Sequence, residues 1–131
     1  MSSFRCTCGT VITDTTDNLP YKAYFLPDQD IDDALDSTME EVAKFIEARE
    51  RGEQERYVKK QGQIPYVSTL EDVLRHLFSH PTFSFGRTLY ECEECGRIWM
   101  QAGPDKNMLV PYLPESASRG ILRHEGAAPD E

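Results

Sequence analysis

Four cysteines set the terms for this chain: Cys6 and Cys8 near its start, in FRCTCGTVI, and Cys92 and Cys95 near its far end, in LYECEECGRIW. Within each pair the residues are too close in sequence for an ordinary disulfide, and each pair is followed at once by glycine, Gly9 or Gly96. The pattern predicts one four-sulfur metal site built from two tight turns. Zinc held by four thiolates is tetrahedral with short metal-sulfur bonds, which two chelating turns supply directly. A glycine after the second cysteine takes the positive φ that lets the chain leave such a turn without a Cβ clash.

Three other uses of the cysteines are weighed against zinc. Iron or an iron-sulfur cluster accepts the same soft donors and stays open as the other metal. A redox dithiol normally opens a helix after a strand, whereas residues 91–100 carry strand formers on both sides of the Cys-x-x-Cys. Two disulfides need an oxidising compartment. The opening Met-Ser-Ser-Phe-Arg has no apolar signal core, so the expected location is the cytoplasm.

The two glycine-followed turns, with a hairpin over residues 92–100, resemble a zinc ribbon or zinc knuckle. That resemblance implies a structural metal joining two hairpins into a small sheet whose other faces do the binding. It covers about twenty residues at the two ends of the chain. The first turn departs from the usual ribbon in being Cys-x-Cys, and the 83 residues between Cys8 and Cys92 are too many for a loop. They must belong to the domain.

At 131 residues the chain reads as one domain, long enough for a modest core that a metal staple would assist. Apolar residues make up 39% of it and charged residues 28%. No apolar run reaches the roughly 20 residues of a membrane span. Fourteen Lys and Arg stand against 23 Asp and Glu, for a formal charge of −9. Such a balance opposes direct binding to a nucleic-acid backbone, which demands cationic neutralisation. A protein partner, and a basic one, fits better.

Along the chain, residues 10–13 read as a strand, 14–20 as a turn and 21–26 as a second strand, together a hairpin carrying the first knuckle. Tyr21, Tyr24 and Phe25 are assigned to sheet packing. Residues 28–51 form the strongest helix, with Ile31, Leu35, Met39, Val42 and Ile46 as the buried stripe, widened by Ala34, Ala43 and Phe45. Asp28 or Asp30 caps its start and Gly52 marks its end. Seven acidic residues and no basic one lie from Asp28 to Glu41, more than the helix dipole accounts for. Asp32, Asp33, Asp36 and Glu40 are therefore the candidate docking surface, against the plainer reading of a solvated face. A calcium loop fails because Asp33 stands where glycine is needed and Met39 where the bidentate glutamate belongs.

Residues 53–63 are charged and either extend that helix or form an exposed connection, ended by Gly62 and Pro65. A second helix spans 68–79, with a Ser68/Glu71 capping box and an apolar face of Leu70, Val73, Leu74, Leu77 and Phe78. His76 and His80 share a side of it but lack the glutamate of a zinc protease, so hydrolysis is not inferred. Residues 83–90, 97–101 and 108–112 then make an antiparallel meander, with a turn over 103–107 and Trp99 in the core. No phosphate loop or nucleophile elbow appears.

The fold expected is α+β: an antiparallel sheet from both ends of the chain with CxC and CxxC knuckles closed by zinc, and two helices packed on one face. One domain spans 1–123, with the helical insertion at 28–80 and a flexible acidic tail at 124–131. The expected role is that of a non-enzymatic protein-binding module engaging a basic protein. In composition it is similar to bacterial immunity proteins, which block or mask cationic toxin domains. A zinc-ribbon accessory factor of transcription or translation is the other binding role, and a dithiol or open-metal enzyme the catalytic one.

Overall fold

The computed structural model describes residues 3–61, 69–103 and 107–124. The fold is α+β, with two antiparallel sheets and three helices. In chain order the elements are β1 (Ser3–Arg5), β2 (Val11–Thr13), β3 (Lys22–Phe25), α1 (Asp28–Glu50), α2 (Gln54–Gln61), α3 (Leu70–Phe85), β4 (Arg87–Glu91), β5 (Ile98–Gln101) and β6 (Leu109–Tyr112). They gather into two compact units: Met1–Phe25 with Arg87–Glu131, and Leu26–Gly86. No helix among the described residues is long and apolar enough to cross a membrane.

The sheet unit holds β1-β2 as one ribbon and β3-β4-β5-β6 as a four-stranded sheet. The expected meander is present as β4, β5 and β6, but the first hairpin is drawn differently. β2 pairs with β1, Phe4 opposite Ile12, and β3 pairs instead with β4, Tyr24 opposite Thr88. The physical reason is what each strand can pair with. The short knuckle turn closes β1 onto β2, with the Cys6 N–H donating to the Thr10 carbonyl at 2.8 Å, while β3 gains a four-residue ladder on β4, continued by the Glu91 N–H donating to the Tyr21 carbonyl at 2.8 Å. Strand β1, only three residues long, gave no periodic signal of its own. Of the turn expected over 103–107, residues 104–106 lie outside the described residues.

Cys6, Ile12, Tyr90 and Cys92 form the small core of this unit, and Phe4, Tyr21 and Trp99 pack against it. Phe4 meets both Tyr90 and Trp99 edge-on, with ring centroids 5.3 and 5.5 Å apart. Trp99 is thus core, as expected. Tyr24, assigned to packing, is exposed. At the rim, Lys22 pairs with Asp14 at 2.7 Å, and the Tyr90 hydroxyl bonds the same carboxylate.

In the helical unit, α1 begins after Pro27 with no side-chain cap, correcting the assignment of Asp28 or Asp30 to that role. Proline's fixed φ and missing N–H suit a helix start, so the two aspartates serve the dipole from within the first turn. Its end is the expected one. Gly52 adopts φ 72°, its N–H reaches Arg49 and that of Glu53 reaches Ala48, a Schellman closure.

The buried face of α1 is not the one expected. Ala34, Thr38, Phe45 and Ala48 are buried, while Ile31, Leu35, Met39 and Ile46 are exposed and Val42 lies between. Two apolar stripes run side by side along the helix, and periodicity does not say which one meets a neighbour. Small residues at Ala34 and Ala48 let another helix come close, and the Thr38 hydroxyl satisfies itself on the Ala34 carbonyl at 2.9 Å. Phe45, Val73 and Leu77 make the core here, with Val42, Leu70 and Leu74 against it.

The charged stretch 53–63 yields a third helix, α2, where two were expected. Tyr57 and Val58 pack against the core, and Tyr57 donates to the Glu41 carboxylate at 3.0 Å. Gly62, Pro65 and Ser68 lie outside the described residues. Thr69 caps α3, its hydroxyl accepting the Asp72 N–H at 3.1 Å. Helix α3 also runs through Pro81 to Phe85, so residues 83–85, expected in a strand, are helical. Proline costs a helix one backbone bond. Pro81 is itself buried, and the ring's apolar burial offsets part of that loss.

Candidate metal centre

Each cysteine pair sits at the tip of a hairpin, β1-β2 or β4-β5, and the two tips share one hydrogen-bond pattern. The first cysteine of each turn donates its N–H to the residue after the glycine, Cys6 to Thr10 and Cys92 to Arg97, both at 2.8 Å. Its carbonyl in turn accepts from the glycine, Gly9 at 2.9 Å and Gly96 at 2.8 Å. The Cys-x-Cys knuckle is therefore the Cys-x-x-Cys knuckle shortened by one residue inside the same closure. Both glycines have the expected positive φ, 99° and 79°. A Cβ on Gly96 would lie 2.6 Å from the Ser118 carbonyl oxygen, so that glycine is required twice over.

The four sulfurs lie within 4.8 Å of one another. Cys6 Sγ and Cys95 Sγ are 3.6 Å apart, as are Cys8 Sγ and Cys92 Sγ, so each knuckle meets the other through both of its sulfurs. A disulfide would need about 2.05 Å. Tetrahedral coordination with metal-sulfur bonds of about 2.3 Å gives edges of about 3.8 Å, and the cluster fits that geometry. The four cysteines can hold a metal ion. Cys6 and Cys92 are buried, Cys95 half-buried and Cys8 exposed.

Donors around the sulfurs favour thiolate at some positions and burial opposes it at others. Burial raises the Cys6 thiol, but the Cys8 N–H, the Trp99 indole and Cys95 outweigh it and bring it below its ordinary value. The Trp99 N–H lies 3.4 Å from Cys6 Sγ. The Thr10 hydroxyl, 3.3 Å away, and then the Thr10 N–H lower Cys8 to about 6. Burial pushes Cys92 up to about 12 against the N–H groups of Cys95 and Glu94. Arg97 approaches Cys95 Sγ at 3.5 Å and offsets part of the negative charge that four thiolates would bring.

Trp99 is expected from the sequence only as core, and the contacts of Thr10, Arg97 and Glu91 at the site were not read from it. A signal for two of these was available, because Thr10 and Arg97 each follow the turn glycine and superposing the two knuckles aligns them. Glu91, next to Cys92, is 1% exposed. Its carboxylate accepts the N–H groups of Ile121 and Leu122 at 3.2 and 3.4 Å. Arg119 donates to the Glu94 carbonyl and Arg123 to the Glu93 carboxylate, both at 2.9 Å. Residues 119–123 are thus tied to the second knuckle. The tail from 125 onward lies outside the described residues.

Asp32, Asp33, Asp36 and Glu40 are placed together on the exposed side of α1. Of the four, Glu40 pairs with Lys44 at 3.4 Å. His76 and His80 share one side of α3, their ring centroids 5.6 Å apart. They belong to no cluster of three metal-ligating groups among the described residues.

Neither the curated proteins nor the solved structures contain a match to the chain. A family model described as a domain of unknown function, DUF8617, matches residues 2–116, and no zinc-ribbon family is identified. With nearly the whole chain inside that match, the protein belongs to the DUF8617 family.

Proposed function

We propose that the protein is a zinc-stapled interaction module: one structural zinc on Cys6, Cys8, Cys92 and Cys95 holds the sheet unit, and the acidic face of α1 engages a basic protein partner. The observation that carries the zinc half is the sulfur geometry. Two knuckles with equivalent closures bring four thiol groups to tetrahedral spacing, so every position of a four-coordinate ion is taken by protein. A site so filled leaves no vacancy for water or substrate, which favours a structural ion over a catalytic one.

Charge distribution supports the partner half. Residues 26–86 carry thirteen acidic and seven basic residues, the remainder of the chain ten and seven. Asp32, Asp33, Asp36 and Glu40 stand in the solvent on a helix that the core already fixes through Phe45. A rigid acidic row steers a cationic surface and discriminates against acidic ones. Masking a cationic domain, as an immunity protein does, is the form of activity this surface suits.

The test is affinity purification from the native cells with the wild-type chain and with Asp32, Asp33, Asp36 and Glu40 all changed to Lys. A basic protein recovered at one-to-one stoichiometry with the wild type and lost with the variant is the expected result. Equal recovery with both chains contradicts the assignment of the surface.

A further inference from the structure

The apolar stripe that α1 leaves uncovered is the feature the proposed function does not use. Leu35 is 56% exposed and Met39 59%, and Ile31 and Ile46 extend the same line. Spacings of four, four and seven residues keep all four on one side of the helix. At 100° per residue the stripe lies between the buried face, Ala34 to Ala48, and the acidic row of Asp32, Asp36 and Glu40. The seam is about 22 Å long, four turns at 1.5 Å per residue. Large side chains exposed in a continuous line cost solubility unless something covers them.

A charge argument selects the occupant. A second copy carries the same net −9, and in an antiparallel pairing of α1 with α1 like flanks meet, setting acidic row against acidic row. The complementary surface is a helix with an apolar stripe to fill the seam and Lys or Arg along the flank that meets the acids. We infer that the Ile31–Leu35–Met39–Ile46 seam of α1, with its neighbouring acidic row, is a docking site for a cationic amphipathic helix of about four turns in a partner protein. This rests on the reading of α1 as the partner surface and adds the shape and chemistry of what binds. The acids set the approach and register, and burial of Leu35 and Met39 supplies the specific affinity.

The probe is a synthetic 18-residue peptide of Leu, Ala and Lys with leucines on one helical face and lysines beside them, compared with a scrambled peptide of identical composition. Binding to the full metal-loaded chain is followed by fluorescence anisotropy. The ordered peptide should bind at least tenfold more tightly than the scrambled one. Leu35→Ser with Met39→Ser should abolish that difference while leaving the melting curve unchanged, since both side chains are exposed. Asp36→Lys with Glu40→Lys should weaken both peptides. If ordered and scrambled peptides bind equally and both respond to the charge reversal, the basic-partner reading stands and the helix-docking inference is overturned. If neither peptide responds to charge reversal, both fall. A chain that sediments as a dimer and becomes monomeric with Leu35→Ser and Met39→Ser gives the seam to a second copy and also overturns the inference.

Discussion

The two units of this chain solve the same problem with different materials. The helical unit is held by apolar side chains: Phe45, Val73 and Leu77 are buried, and Tyr57, Val58 and Leu70 pack around them. Half of the buried core residues in the sheet unit, by contrast, are cysteines, Cys6 and Cys92 beside Ile12 and Tyr90. Strands of three to five residues cannot bury enough apolar surface to order themselves. Where the core is apolar the fold is local and needs no ion. Where half of it is thiols, the proposed ion would complete the fold.

Removing the metal is the largest break expected in that contrast. Structural zinc contributes on the order of 10 kcal/mol in small peptides. Cys92→Ser, or a chelator, should erase the sheet unit's dispersed NMR signals while the helical signal in circular dichroism largely persists. A simultaneous loss of both would show that the units do not differ in this way. The converse variant is Phe45→Ala, which should cost about 3–5 kcal/mol in the helical unit and leave one metal per chain, as measured by elemental analysis alongside thermal melting.

Smaller changes sharpen the same comparison. Gly96→Ala places a side chain at φ 79° and against the Ser118 carbonyl. It should cost about 2 kcal/mol from the backbone alone and weaken the metal in a chelator competition, with no effect on Phe45 or its neighbours. Glu91→Ala strands the N–H groups of Ile121 and Leu122 and should cost about 1–3 kcal/mol, whereas Glu91→Gln, which keeps an acceptor, should cost less. Hydrogen exchange at Ile121 and Leu122 reads this directly.

The smallest effect is electrostatic. Burial raises the Asp14 carboxyl, but the bonds from Lys22 and Tyr90 outweigh it and hold the group below its ordinary value. A carboxylate depressed in the folded state contributes its full stability above the unfolded value near 3.9 and loses it only as pH falls through the folded one. Asp14→Asn should therefore cost about 1 kcal/mol, and the same amount at pH 8 as at pH 6. A penalty that shrinks between those two values would contradict the depressed carboxylate.

How much of this was legible in the sequence differs between the two regions for physical reasons. The knuckles were, because thiol spacing and the following glycine are local chemistry that leaves few alternatives. So were the α+β class and the β4-β5-β6 meander, since alternation and turn residues are local as well. Three things depended on distant partners. Whether α1 buries Ala34 and Phe45 or Leu35 and Met39 is decided by the helix that packs on it. Helix α3 continues past Pro81, whose ring is buried, which a proline rule applied to the bare sequence does not foresee. Glu91 reads as one more charge among many until residues 121 and 122 arrive to bind it.

The central claim is that Cys6, Cys8, Cys92 and Cys95 together hold one zinc ion with no open position. Zinc-edge X-ray absorption on the full chain, purified without added metal, tests it most directly. The expected spectrum shows four sulfur neighbours at about 2.3 Å and no lighter atom in the first shell. A first shell containing oxygen or nitrogen, or a chain that carries no zinc, would contradict it.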